Sequence, residues 1–175
     1  MHILGVSCYY HDAAAVILRD GMLVAAAEEE RFSRVKHDHG FPERAIEFCL
    51  RQAGIQAGDL DHVVFYEKPF VKFERLVKTI LQTAPRSGRL FRQAMGTWFA
   101  DKLWVRERIC RELGLPRDRV AFTDHHQAHA ASAFYCSPFE EAAVLTIDGV
   151  GEWACGTVGW GRGTRKAIAA WFDMR

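Results

Sequence analysis

Three histidines in five residues, His125, His126 and His129, open a run of small side chains that continues through Ala130, Ala131, Ser132 and Ala133. His125 and His129 are four residues apart. On a helix that spacing puts both imidazoles on one face with Cβ atoms about 5–6 Å apart, within the span of one metal ion. His126 then points elsewhere, or pairs with His129 at three-residue spacing. Any one of these histidines reads most plainly as a cap, a solvent-facing residue or a satisfied core residue. The cluster favours a metal or catalytic site, because small neighbours leave room for a ligand. Asp148 supplies a carboxylate: Ala142 to Ile147 has strand character and ends at Asp148-Gly149, where glycine lets another group approach the backbone. The same dipeptide suits a hairpin turn, with Val150 to Trp160 as the returning strand.

Two imidazoles and one carboxylate make a mixed nitrogen and oxygen set with open positions, which suits iron(II) or zinc better than magnesium. A zinc hydrolase is one chemistry such a set permits. Against it, the H-E-x-x-H spacing is absent, and Gln127 cannot act as a carboxylate base.

The elements that must position these residues follow from periodicity. Val120-Ala121-Phe122 is a short strand, and Asp124 is a suitable N-cap for the histidine helix. At the N-terminus, Ile3–Ser7, Ala14–Leu18 and Met22–Ala27 read as a meander, with Arg19-Asp20-Gly21 as a tight turn. The link Cys8-Tyr9-Tyr10-His11-Asp12 is polar and aromatic. His11-Asp12 reads equally as a ligand-facing loop of a nucleotide-binding fold or as an ordinary turn. Glu28 to Pro42 is a charged connection in which His37 and His39 read as solvated. Pro42 then starts a helix with Ala45, Ile46, Phe48, Cys49, Leu50 and Ala53 on its apolar side, stopped by Gly54. Val63–Tyr66 is a fourth strand. From Pro69 to Leu113 the apolar spacing predicts two or three helices, broken at Pro85-Arg86-Ser87-Gly88.

Composition narrows the partners. Lys and Arg exceed Asp and Glu by one, so no charge excess points to nucleic acid or a membrane surface. Five scattered cysteines without C-x-x-C spacing read as reduced thiols, and no leader or spanning stretch is present; these features predict a cytoplasmic protein.

The ordered set of segments resembles the carbamoyltransferase family that contains the nodulation and cephamycin O-carbamoyltransferases. The segments are Ile3–Ser7 with His11-Asp12-Ala13-Ala14-Ala15, Glu29 to His37 with Phe41-Pro42, Tyr66-Glu67-Lys68-Pro69-Phe70, His125-His126-Gln127-Ala128-His129-Ala130, and Asp148-Gly149-Val150-Gly151-Glu152. The resemblance implies an α/β fold: the RNase H-like half of an actin/hexokinase/Hsp70-type domain, with a mixed sheet and flanking helices. Residues 1–140 would form that half and residues 141–175 the first strands of a truncated second half. It implies His125, His129 and Asp148 as ligands of a divalent metal, iron(II) by preference. It implies His11 as the base for the accepting hydroxyl, and Asp12, Gly149 and Gly151 at the substrate and nucleotide. In the family, a second domain makes carbamoyladenylate from carbamoyl phosphate and ATP, and the first transfers the carbamoyl group to a small-molecule hydroxyl acceptor. Family chains are several times longer. Lys166 to Arg175 fits the family pattern poorly, which favours truncation or a frameshift over a designed boundary. The alternative is a non-catalytic metal- or partner-binding fragment that needs a separately encoded C-terminal remainder.

Overall fold

The computed structural model describes residues 1–10, 12–84, 88, 96, 98, 102–149, 151–162 and 167–174. The chain divides into two compact units, Met1–Tyr66 with Arg92–Phe122, and Glu67–Phe91 with Thr123–Arg175.

In the first unit, β1 (His2–Ser7), β2 (Ala14–Arg19) and β3 (Met22–Glu28) form the antiparallel meander. Asp20 and Gly21 take positive φ at its tight turn, where the N-terminal amine lies 2.6 Å from the Asp20 carboxylate. β4 (His62–Phe65) pairs parallel with β1, and β5 (Val120–Phe122) parallel with β4, giving the order β3-β2-β1-β4-β5. A meander extended by parallel strands on the side of its first strand is the RNase H-like half of the actin/hexokinase/Hsp70 type. The expected fold class holds.

The one-turn helix α1 (Glu30–Ser33) and helix α2 (Glu43–Ala53) follow β3. α2 buries Ala45, Ile46, Cys49 and Ala53 and packs on β2 and β3; Gly54 closes it in the left-handed conformation. The connection before α2 is less solvated than its charge suggests. Glu29 is buried, and its carboxylate accepts the N–H groups of Ala45 at 2.8 Å and Arg44 at 3.3 Å, donors that α2 leaves unpaired in its first turn. Helix α4 (Val105–Leu113) buries Val105 and Ile109 and packs by β5. Of the expected helix break at 85–88, only Gly88 lies within the described residues.

In the second unit, helix α3 (Pro69–Gln82) opens with proline at its first position. Helix α5 (His125–Phe134) packs on an antiparallel sheet of β6 (Glu141–Ile147), β7 (Gly156–Arg162) and β8 (Ala167–Met174). Val144 and Thr146 face α5, while Leu145, Ile147, Val158 and Trp160 are exposed on the other side. Gly161 is required by packing: a Cβ there would stand 2.6 Å from the Phe134 ring.

The returning strand starts at Gly156, paired with Ile147, not at Val150, so Asp148-Gly149 is no two-residue hairpin turn. The intervening loop is committed to other partners. Its Glu152 accepts the Lys68 N–H at 2.5 Å, and the Gly151 carbonyl accepts the Arg75 guanidinium at 2.6 Å. No helix among the described residues is long and apolar enough to cross a membrane.

Candidate metal centre

The centre lies within the second unit and begins at the N-terminus of α5. Asp124 is the N-cap in extended conformation, but its side chain caps nothing; its carboxylate instead takes the Lys68 ammonium at 2.7 Å. The first helical turns then carry the histidines, as the sequence predicts. His125 Nε2 and His129 Nε2 face each other at 3.2 Å, and Asp148 Oδ2 stands 2.7 Å from the first and 3.5 Å from the second. All three ligating atoms lie within 4.8 Å of one another.

Donors held about 2.0–2.2 Å from one tetrahedral ion stand roughly 3.3–3.5 Å apart. The observed separations match that spacing or fall somewhat inside it, and the donor set is two imidazole nitrogens and one carboxylate oxygen. These residues therefore fit a transition metal with open coordination positions. Exposure is graded across the set: the side chains of His125, Asp148 and His129 are 5%, 33% and 52% exposed.

His126 is not part of this set. It is buried, its Nδ1 is 2.8 Å from Thr146 Oγ1, and its Nε2 is 2.8 Å from the Ala154 carbonyl oxygen. Thr146 in turn lies 2.6 Å from Thr157. His126 thus ties α5 to β6 and to the loop behind Asp148.

Behind His125 stands an acidic residue to which the sequence alone assigns no role. Glu67 is buried, with Oε2 at 3.6 Å from His125 Nδ1. The same oxygen takes the buried Lys72 ammonium at 2.5 Å. Burial alone would raise the Glu67 carboxyl, but His125 and Lys72 outweigh it and hold the group below its ordinary value. Glu67 in turn raises His125 above the usual imidazole value, against burial and with help from Asp148. The legible signal was a carboxylate just after a strand end, followed by a lysine in the first turn of a proline-started helix.

His11 lies outside the described residues. Asp12, in the first unit, has Oδ1 2.9 Å from His37 Nδ1, and Glu30 accepts the His37 N–H at 3.1 Å. His37, read as solvated, is exposed but engaged. Gly149 is exposed with open space around it, whereas Gly151 is buried, and a Cβ there would meet Ala154 O at 2.1 Å and His126 Nε2 at 2.7 Å. Packing of the loop is enough to require glycine at 151.

Comparison with known proteins agrees with the resemblance. An uncharacterized protein of Synechocystis is 50% identical over 171 residues, covering 94% of this chain and 28% of the relative. Nodulation protein NolNO of Sinorhizobium fredii is 38% identical over 166 residues, covering 94% of this chain and 23% of the relative. The chain thus spans about a quarter of the length of these relatives. Among solved structures, YeaZ from Pseudomonas aeruginosa superposes with a TM-score of 0.49 at 14% identity, covering 99% of this chain and 67% of that one. The family model for the carbamoyltransferase N-terminus matches residues 2–174, so the segment from Lys166 onward fits the family better than its sequence suggests. With that match across the whole described fold, the chain belongs to the carbamoyltransferase family, as its N-terminal part.

Proposed function

We propose that this chain is the N-terminal, acceptor-side part of an O-carbamoyltransferase. The carbamoyl group passes from carbamoyladenylate, made from carbamoyl phosphate and ATP, to the hydroxyl of a small molecule. The observation that carries this reading is the convergence of His125, His129 and Asp148 in a chain of this family. Bound there, iron(II) supplies Lewis-acid polarisation of a carbonyl or phosphoryl oxygen. The chain's own part is to hold that ion through two imidazoles fixed on one helix and one carboxylate at a strand end. His11 is assigned to take the proton of the accepting hydroxyl, and Asp12, Gly149 and Gly151 to border the donor. Residues 1–140 form the RNase H-like half and 141–175 begin the second half; adenylate formation belongs to a further portion, either on the same polypeptide or separately encoded.

The test is a chimera in which this chain replaces the matching part of the nodulation relative, assayed for carbamoyl transfer from carbamoyl phosphate and ATP to a range of hydroxyl acceptors. Transfer that disappears in His129→Ala and His11→Ala chimeras of unchanged thermal stability supports the proposal. Full transfer in both variants overturns the assigned roles.

A second reading is a non-catalytic fragment that binds metal and pairs with a partner carrying the remainder. The exposed Leu145, Ile147, Val158 and Trp160 on one sheet face favour it. Size-exclusion chromatography discriminates, since a clean monomer at high concentration counts against an open apolar face.

A further inference from the structure

Of the two ring nitrogens of His125, Nε2 faces His129 and Asp148, while Nδ1 faces Glu67 at 3.6 Å. A histidine that ligates through Nε2 must carry its proton on Nδ1, and what Nδ1–H meets decides the tautomer, the ring orientation and the basicity of Nε2. Here it meets a carboxylate with little freedom. Glu67 and Lys72 are 4% and 6% exposed, and Lys72 Nζ sits 2.5 Å from the oxygen that faces His125. Lys72 is itself placed by the first turn of α3, where its N–H donates to the Lys68 carbonyl at 3.2 Å. A chain of ammonium, carboxylate and imidazole therefore runs from α3 to the ligating edge of α5.

We infer that Glu67 is the positioning residue of the metal centre: anchored by Lys72, its carboxylate faces the His125 Nδ1–H as acceptor, keeps the proton on that nitrogen and so presents Nε2 as the ligating atom. This rests on the metal reading of His125, His129 and Asp148, and goes beyond it by assigning a role to a residue that touches no ligating atom. The distance of 3.6 Å is an ion-pair separation, and a small turn of the ring brings Nδ1–H within hydrogen-bonding range. Lys72 on the same oxygen holds that oxygen in place rather than competing for the imidazole, because an ammonium can only donate.

The experiment is cobalt(II) titration of the chain, followed by its visible absorption and by chelator competition. The wild type is compared with Glu67→Gln, with the charge-neutral pair Glu67→Gln/Lys72→Met, and with His129→Ala. Loss of an outer hydrogen-bond partner of a ligating histidine typically weakens metal binding about 10–100-fold. Both Glu67 variants are expected to fall in that range, with the cobalt spectrum altered, while the double variant, free of an unpaired buried charge, melts close to the wild type and well above the single variant. Histidine nitrogen NMR of the zinc-loaded wild type is expected to show His125 ligating by Nε2 with Nδ1 protonated, a signature that general stability does not set. If the double variant binds cobalt as tightly as the wild type, or if His125 ligates through Nδ1, the role of Glu67 is overturned while the metal centre stands. If the wild type and His129→Ala alike bind no cobalt, the metal reading falls and takes this inference with it.

Discussion

The Glu67 carboxylate and the Lys72 ammonium meet at 2.5 Å with side-chain exposures of 5% and 7%, five residues apart across the start of α3. Removing one partner of such a pair leaves an uncompensated buried charge and typically costs about 3–5 kcal/mol, whereas replacing both with neutral side chains is often close to neutral. Lys72→Met is therefore expected to destabilise by that amount, and Glu67→Gln/Lys72→Met to recover most of the loss. Urea denaturation of the three proteins checks this. Equal destabilisation by the single and double changes would show that the ion pair is not the source.

His126→Ala separates architecture from ligation. The change removes the hydrogen-bond partner of the Ala154 carbonyl and one partner of Thr146, which keeps Thr157. An orphaned buried acceptor costs about 1–3 kcal/mol. The melting temperature is expected to fall while the metal stoichiometry in calorimetry stays that of the wild type. Lost stoichiometry in a folded His126→Ala protein would place the ligand set elsewhere on α5.

Gly161→Ala tests how closely α5 sits on the sheet. A Cβ at 161 would lie 2.6 Å from two atoms of the Phe134 ring and 2.7 Å from a third, and overpacking of this kind costs about 1–3 kcal/mol. Pairing the change with Phe134→Leu is expected to cost less than the sum of the two single changes. Strict additivity in thermal melts would refute the contact.

The sign of a pH effect can be fixed at Glu152. Burial raises its carboxyl above the ordinary 4.5, aided by Asp124 and Glu67 and opposed by the Lys68 N–H and the Lys68 charge. Above 4.5 and up through the raised value, the folded chain holds this proton when the unfolded chain has lost it, so the stability from this group falls as pH rises through that window. Glu152→Gln keeps an acceptor for the Lys68 N–H and carries no charge. Its melting temperature is expected to match the wild type near pH 4 and exceed it at pH 8. A Gln variant that is less stable than the wild type at pH 8 would mean that the charge on Glu152 is net favourable.

Much of the fold was legible because it rests on local signals. Alternating apolar runs, the Asp20-Gly21 turn and Gly54 at the end of α2 each act within a few residues, and the structure places them where those signals lie. The i,i+4 pairing of His125 and His129 is equally local, and it brings the two Nε2 atoms together. What the sequence concealed depends on long-range partners. Asp124 has the right type for a cap, but Lys68, 56 residues away in sequence, takes its carboxylate. The loop after Asp148 carries a hairpin signature that is overridden because Gly151 and Glu152 are bound by Arg75 and Lys68 of a distant segment. Glu29 and Glu67 look like surface charges in sequence, and only the packed helices reveal them as buried acceptors.

The grading of exposure across the candidate ligands, from His125 through Asp148 to His129, sets an order of departure. If these residues hold an ion as proposed, a competing chelator would reach His129 first, since half of that side chain faces water while His125 is enclosed. Ion exchange should then proceed with His129 as the swinging ligand and His125 as the last to let go. His129→Ala would accelerate release out of proportion to its effect on capture, leaving a centre that still takes up an ion but cannot keep it.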